Sequence, residues 1–130
     1  MTPTARSMKW LRDRGFIVCR VEQRLHMPKS PFPITKDAFG FGDLLAADPA
    51  RCEIYLVQVT STGNLNKRCE KIHTDPKVST LALQWLQAGG SIWVHGWAKR
   101  GARGKPKRWS ISRRKFYRTA DQLCFCEDLS

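Results

Sequence analysis

Apolar positions along the chain change period several times, and each change marks an element. Met8, Leu11 and Trp10 fall on one face of a short helix, and Gly15 closes it, because glycine accepts the left-handed backbone that ends many helices. From Phe16 to Leu25 the period drops to two. Ile17, Cys19 and Val21 share one face and Arg20, Glu22 and Arg24 the other, which predicts a half-buried strand. Pro28, Pro31 and Pro33 make residues 26–37 a loop. A second strand is predicted over Phe39–Ala47, entered through Gly40 and Gly42, with a turn at Asp48-Pro49 and a third strand over Glu53–Ser61. Ser61-Thr62-Gly63-Asn64 ends that strand, and a helical turn runs on through Lys71.

The strongest helical pattern follows. Asp75 is its cap, Pro76 suits its first position and Gly89-Gly90 stops it. Val78, Leu81, Ala82, Trp85 and Leu86 lie on one stripe, so that face packs on a sheet. Ser91–Trp97 reads as a fourth strand, and Arg108–Tyr117 as a fifth, paired as a hairpin across the glycine- and lysine-rich turn 101–107. Helix, three strands, helix and then one or two strands argue an α/β sandwich around a mixed sheet of four to five strands (α-β-β-β-α-β-β), not a doubly wound parallel sheet.

Composition narrows the class. At 130 residues, with 42% apolar and 10% aromatic side chains, the chain suits one folded domain and is too apolar for a disordered basic tail. No apolar run is long enough to span a bilayer and no signal-peptide pattern opens the chain, so neither a secreted nor an integral membrane protein is expected. Cys19, Cys52, Cys69, Cys124 and Cys126 are odd in number and fit no small disulfide scaffold, so reduced cytoplasmic thiols are expected. Cys124-Phe-Cys126 has neither the spacing nor a nearby histidine for zinc.

Charge is the most informative property. The formal charge is +12, and residues 99–118 carry ten Lys or Arg and no acid: Lys99, Arg100, Arg103, Lys105, Lys107, Arg108, Arg113, Arg114, Lys115 and Arg118. Such a block fits a polyanion, and the interleaved Trp97, Trp109, Phe116 and Tyr117 favour nucleic acid, because aromatics stack on bases. A solvated, solubilising face is the plain alternative. The sequence reads as one domain over 1–120, with the basic hairpin at 97–118 and a net-negative tail at 121–130 carrying Asp121, Glu127 and Asp128. Whether that tail covers the basic surface or frays is open.

Two strands carry polar groups that a core strand does not need. Asp43 follows Phe39-Gly40-Phe41-Gly42 inside an apolar run, and a buried carboxylate costs several kcal/mol unless it is paired or bound to a cation. In Ile54–Ser61, Gln58 and Thr60 share a face by alternation. If these strands are antiparallel neighbours, Asp43 and Gln58 meet near one end and offer oxygen ligands suited to Mg²⁺, with Glu22 as a further carboxylate. Each has a duller role: Asp43 held by backbone amides, Gln58 a satisfied core amide, Thr60 a β-former, Glu22 an ion-pair partner of Arg20 or Arg24. His95, mid-strand between tryptophans, reads as a packed, hydrogen-bonded imidazole. His26 and His73 read as loop residues, and no nucleophile–histidine arrangement stands out.

The Gly-x-x-Asp-Leu-Leu segment, followed fifteen residues after its aspartate by Gln58-Val59-Thr60, resembles the PD-(D/E)XK nuclease superfamily. Val21-Glu22-Gln23, Phe39–Ala46, Val57–Ser61, Lys71-Ile72 and Trp85–Gly96 resemble more narrowly its short phage-type members related to Holliday-junction resolvases, over residues 9–109. The resemblance implies a restriction-endonuclease-like fold and a Mg²⁺-dependent DNA endonuclease, also served by Mn²⁺, that is structure-selective or resolvase-like. It implies work as a homodimer in the cytoplasm of a bacterium or phage-infected host, without membrane or small-molecule cofactor. Asp43 and Gln58 then hold the metal, and Glu22 matches the acid placed before the core motif. Thr60 stands where the family has lysine, and it brings a hydrogen bond but no positive charge. Lys71 is the candidate to replace that ammonium, or else it contacts phosphate or solvent. The basic hairpin follows DNA through phosphates, without reading sequence. The alternative is a binding protein that kept the fold and lost the chemistry; an RNA-binding module would use the hairpin equally well.

Overall fold

The computed structural model describes residues 1–25, 28–29, 31–32 and 34–129. The elements run α1 (Pro3–Asp13), β1 (Ile17–Arg20), β2 (Gln23–Leu25), β3 (Ile34–Lys36), β4 (Leu44–Asp48), β5 (Glu53–Ser61), a 3-10 turn (Thr62–Asn64), α2 (Leu65–Thr74), α3 (Pro76–Gln87), β6 (Ser91–Arg100), β7 (Arg108–Thr119) and β8 (Gln122–Glu127). Six strands form one mixed sheet in the order β1-β4-β5-β6-β7-β8, and β2 and β3 form a separate two-stranded sheet. Only β5 and β6 are parallel, so the chain crosses between them through α2 and α3. The protein is therefore α/β, a mixed sheet with three helices.

Strand alternation splits the core into two layers. On one face α1 sets Leu11 against Phe16, Leu44, Ala46, Tyr55, Val57 and Trp93. On the other, Leu65, Cys69 and Ile72 of α2 and Val78 and Ala82 of α3 meet Phe41, Leu56, Ile92, Val94 and Phe116. Burying each large apolar side chain contributes about 1.5–3 kcal/mol, so both layers matter to stability. The helix ends follow the sequence: Thr2 caps α1 by accepting from Ala5 N at 3.1 Å, Asp75 caps α3 by accepting from Lys77 N at 3.1 Å, and Gly15 has φ +89°. Among the described residues no helix is long and apolar enough to cross a membrane, and all five cysteines are free.

Several expected elements differ. The strand expected over Phe16–Leu25 breaks after Arg20: β1 stays in the main sheet, while β2 leaves it to pair with β3 inside the stretch expected to be loop. Its faces also differ, because α2 and α3 lie over β5 to β8 and leave the edge strand uncovered. Ile17 is 71% exposed and Cys19 is exposed, while Val18 packs towards α1. The second strand is shorter than expected, because residues 38–42 form a tight turn with Phe39 at φ 55° and Gly40 at φ 83°. A Cβ at Gly40 would also stand 3.1 Å from Val78 Cγ2, so this turn needs glycine twice over.

The turn expected through Lys71 is the full helix α2, which takes in His73, and Leu81 of the expected α3 stripe is exposed. The acidic stretch expected as a tail places Gln122–Glu127 in the sheet as β8. Leu123 and Phe125 pack on the Phe116 layer, and Glu127 and Asp128 lie 3.9 and 3.6 Å from Arg114 and Arg113. The basic strand and the acidic strand thus neutralise each other along part of their length. His26 lies outside the described residues.

Candidate functional site

Asp43 is seated by backbone on three sides. Leu44 pairs with Val57, and Asp43 N also donates to Val57 O at 2.9 Å, so two residues oppose one, the local pattern of a β-bulge. Its carbonyl accepts from Val21 N at 3.0 Å, which ties the end of β1 to the start of β4. Its carboxylate oxygen Oδ2 accepts from Val59 N at 2.8 Å, where the chain has turned away at Gly42 and offers β5 no further main-chain acceptor. That bond seats the carboxylate against Gln58-Val59-Thr60, and the residue is 7% exposed. Gln58 and Thr60, both buried, alternate with Val57 and Val59 and so face the α2–α3 layer with Leu56.

Two further carboxylates arrive from the small sheet. Gln23 pairs with Lys36, so Glu22 and Asp37 flank the open end of the β2–β3 hairpin opposite one another. Glu22, Asp37 and Asp43 each bring an oxygen within 4.8 Å of the others. Glu22 makes no ion pair with Arg20 or Arg24 among the described residues. Asp37 was not singled out from the sequence because it falls in the stretch read as loop; the acid preceding a glycine-containing turn was its one visible signal. Burial first, opposed by the Val59 amide, and then the charge and hydrogen bond of Asp37 and the charge of Glu22 raise the Asp43 pKa to about 7. The groups acting most strongly on Asp43 include no cation.

Lys71 is exposed on α2, whose inward residues are Leu65, Cys69 and Ile72, so the helix turns it to solvent. Thr60 pairs with Gly96 across the β5–β6 ladder. Of the expected basic surface, Lys99, Arg100, Arg103, Lys105, Lys107 and Arg108 are exposed at the β6–β7 tip. Arg113 and Arg114 are largely covered, at 12% and 22% side-chain exposure, and lie in ion pairs with Asp128 and Glu127. β5 and β6 run parallel, so this tip rises from the sheet end that carries Gln58 and Thr60.

No protein-family model, curated protein or solved structure matches the chain. Function then rests on what the site can do chemically. Three carboxylates beside a buried amide and a hydroxyl form an oxygen-only donor set, the kind that hard divalent cations take in preference to zinc or copper. The donors fit such an ion, and a cation among them would offset the mutual repulsion and burial that hold Asp43 near neutrality.

His95 belongs to a separate buried cluster on the α1 face, in which its Nε2 has no hydrogen-bond partner among the described residues. Trp97 Nε1 donates to Ser7 Oγ at 2.8 Å, and the Ser7 hydroxyl shares a 3.0 Å hydrogen bond with His95 Nδ1. Burial, helped by the Arg113 charge, lowers the His95 pKa to about 3 and keeps the ring neutral. With both side chains fully buried, this Ser–His pair is a packing device rather than a nucleophile. His73 sits on α2 with its ring against Phe125.

Proposed function

We propose that the protein is a Mg²⁺-dependent DNA endonuclease, with Mn²⁺ as a substitute. The observation that carries this reading is the convergence of Glu22, Asp37 and Asp43 on the Gln58–Thr60 segment, at the sheet end from which the exposed cations of the β6–β7 tip rise. Glu22, Asp37 and Asp43 would hold the ion, with the Gln58 amide oxygen beside them. When bound, such an ion activates a water and neutralises charge on the scissile phosphate. The Val59 amide fixes the Asp43 carboxylate, and the Thr60 hydroxyl can orient the water or a phosphate oxygen. The basic tip grips the backbone without reading bases. The likeness of Gly40–Leu45 and Gln58–Ser61 to the PD-(D/E)XK superfamily supports the same reaction, a structure-selective substrate and a homodimer.

A second reading has a specific observation behind it. Thr60 stands at the lysine position, and no cation is among the groups acting most strongly on Asp43, which suits a protein that binds DNA without cutting it. Labelled linear, flapped and four-way-branched DNA incubated with Mg²⁺ or Mn²⁺ separates the two. Scission by wild type that disappears in Asp43→Asn is expected. Wild type that binds the DNA and leaves it intact with both metals would transfer the case to the binding protein.

A further inference from the structure

On the sheet face opposite the acidic centre, a groove of about 500 Å³ runs between α1 and the β6–β7 hairpin. Trp10, Trp97 and Trp109 floor it, and Met1, Arg6 and Lys9 rim it. Trp109 is 44% exposed, an unusual state for the largest apolar side chain. The Arg6 guanidinium lies 3.8 Å from its ring centroid and the Lys99 ammonium 5.5 Å, so two cations flank the exposed indole. The one acid on the rim, Asp13, is taken by Lys9 at 2.6 Å.

We infer that this groove holds unpaired nucleotides of a DNA substrate, with Trp109 as the base-stacking platform. The inference rests on the DNA-nuclease reading and deepens it by naming the substrate class. Charge complementarity argues for a polyanion: Arg6 and Lys99 beside Trp109 lead into the acid-free tip of the hairpin, while the Lys9–Asp13 pair adds no net charge. The aromatic floor argues for unpaired bases, because in a duplex each base face is already covered by its neighbours, whereas an unpaired base can lay its ring on an indole. Ser61 pairs with Trp97 across β5–β6, so the groove opens at the same sheet end as Gln58 and Thr60. A strand leaving a duplex held near the carboxylates can pass over that end and seat its bases on the α1 face.

The test is fluorescence anisotropy with the full chain in EDTA, so that nothing is cut, using a short labelled single strand and its blunt duplex. Wild type, Trp109→Ala and Trp109→Phe are compared, each checked by thermal melting. Trp109→Ala is expected to weaken single-strand binding roughly five- to a hundredfold while duplex binding changes less than twofold, and Trp109→Phe to restore most of the loss. Equal losses on both DNAs, or none, would overturn the groove while leaving the nuclease reading standing, as would wild type that binds duplex alone. Dimerisation of wild type that Trp109→Ala abolishes would assign the groove to a second copy. Wild type that binds neither DNA would overturn the DNA reading together with the groove.

Discussion

Asp43 is folded at a cost that depends on pH. Its pKa is raised from 3.8 to about 7, so the folded chain keeps a proton that the unfolded chain releases. Stability from this group therefore falls as pH rises from about 4 to about 7 and is level above that. Asp43→Asn keeps an oxygen for the Val59 amide and removes the charge. In metal-free buffer it should raise Tm by on the order of 5 °C at about pH 8 and leave it unchanged at about pH 4. A lower Tm at the higher pH would show the carboxylate to be structural. His95 works in the other direction: its folded pKa of about 3 lies below the ordinary 6.5, so protonation of the unfolded chain erodes stability as pH falls through that interval. Ser7→Ala strips the Trp97 indole and His95 Nδ1 of their shared partner and should cost about 1–3 kcal/mol in urea denaturation. Asp43 was legible in the sequence as an acid in apolar surroundings, and Gln58 and Thr60 by alternation. Asp37 was not, because the β2–β3 pairing that places it lies in a stretch that reads as loop, and Ser7 was not, because its partners His95 and Trp97 lie far along the chain.

Elements were readable where one periodicity ran undisturbed. α3 carries its own cap, first-turn proline and terminating glycines, and β5 a long run between clear turns, so local chemistry fixed both. The first strand failed because period two continues from β1 into β2 while the chain moves to another sheet. That departure matters most for the site, since it carries Glu22 to Asp37. β8 was hidden by its charge: Glu127 and Asp128 read as a tail, while Leu123 and Phe125 of the same segment enter the core. The close approach of α2 to β6 depends on Gly96, where a Cβ would stand 3.1 Å from Thr62 Cα and 3.3 Å from Leu65 Cβ. Gly96→Val should push the start of α2 off the sheet and lower stability by roughly 1–3 kcal/mol, read as a lower urea midpoint.

For the whole molecule, the two ends of the charge range lie in different places. Part of the net +12 is answered within the sheet, where Asp128 and Glu127 meet Arg113 and Arg114, while six exposed cations, Lys99, Arg100, Arg103, Lys105, Lys107 and Arg108, cluster at the β6–β7 tip beside the sheet end that holds the carboxylates. Composition shows the excess of cations, but only the pairing of β7 with β8 separates the inward cations from the outward ones. Replacing Arg103, Lys105 and Lys107 by Gln should weaken duplex and single-strand binding alike and lower the slope of log K against log salt by about 2 to 3. An unchanged slope would place the DNA elsewhere.

The central claim is that Glu22, Asp37 and Asp43 form a divalent-cation centre, and titration of metal-free protein with Mn²⁺, followed by calorimetry, addresses it most directly. The account predicts one saturable ion per chain for wild type, bound more tightly as pH rises through about 7, and its loss in both Asp43→Asn and Asp37→Asn. Mn²⁺ binding that never saturates, or that survives both substitutions, would contradict it.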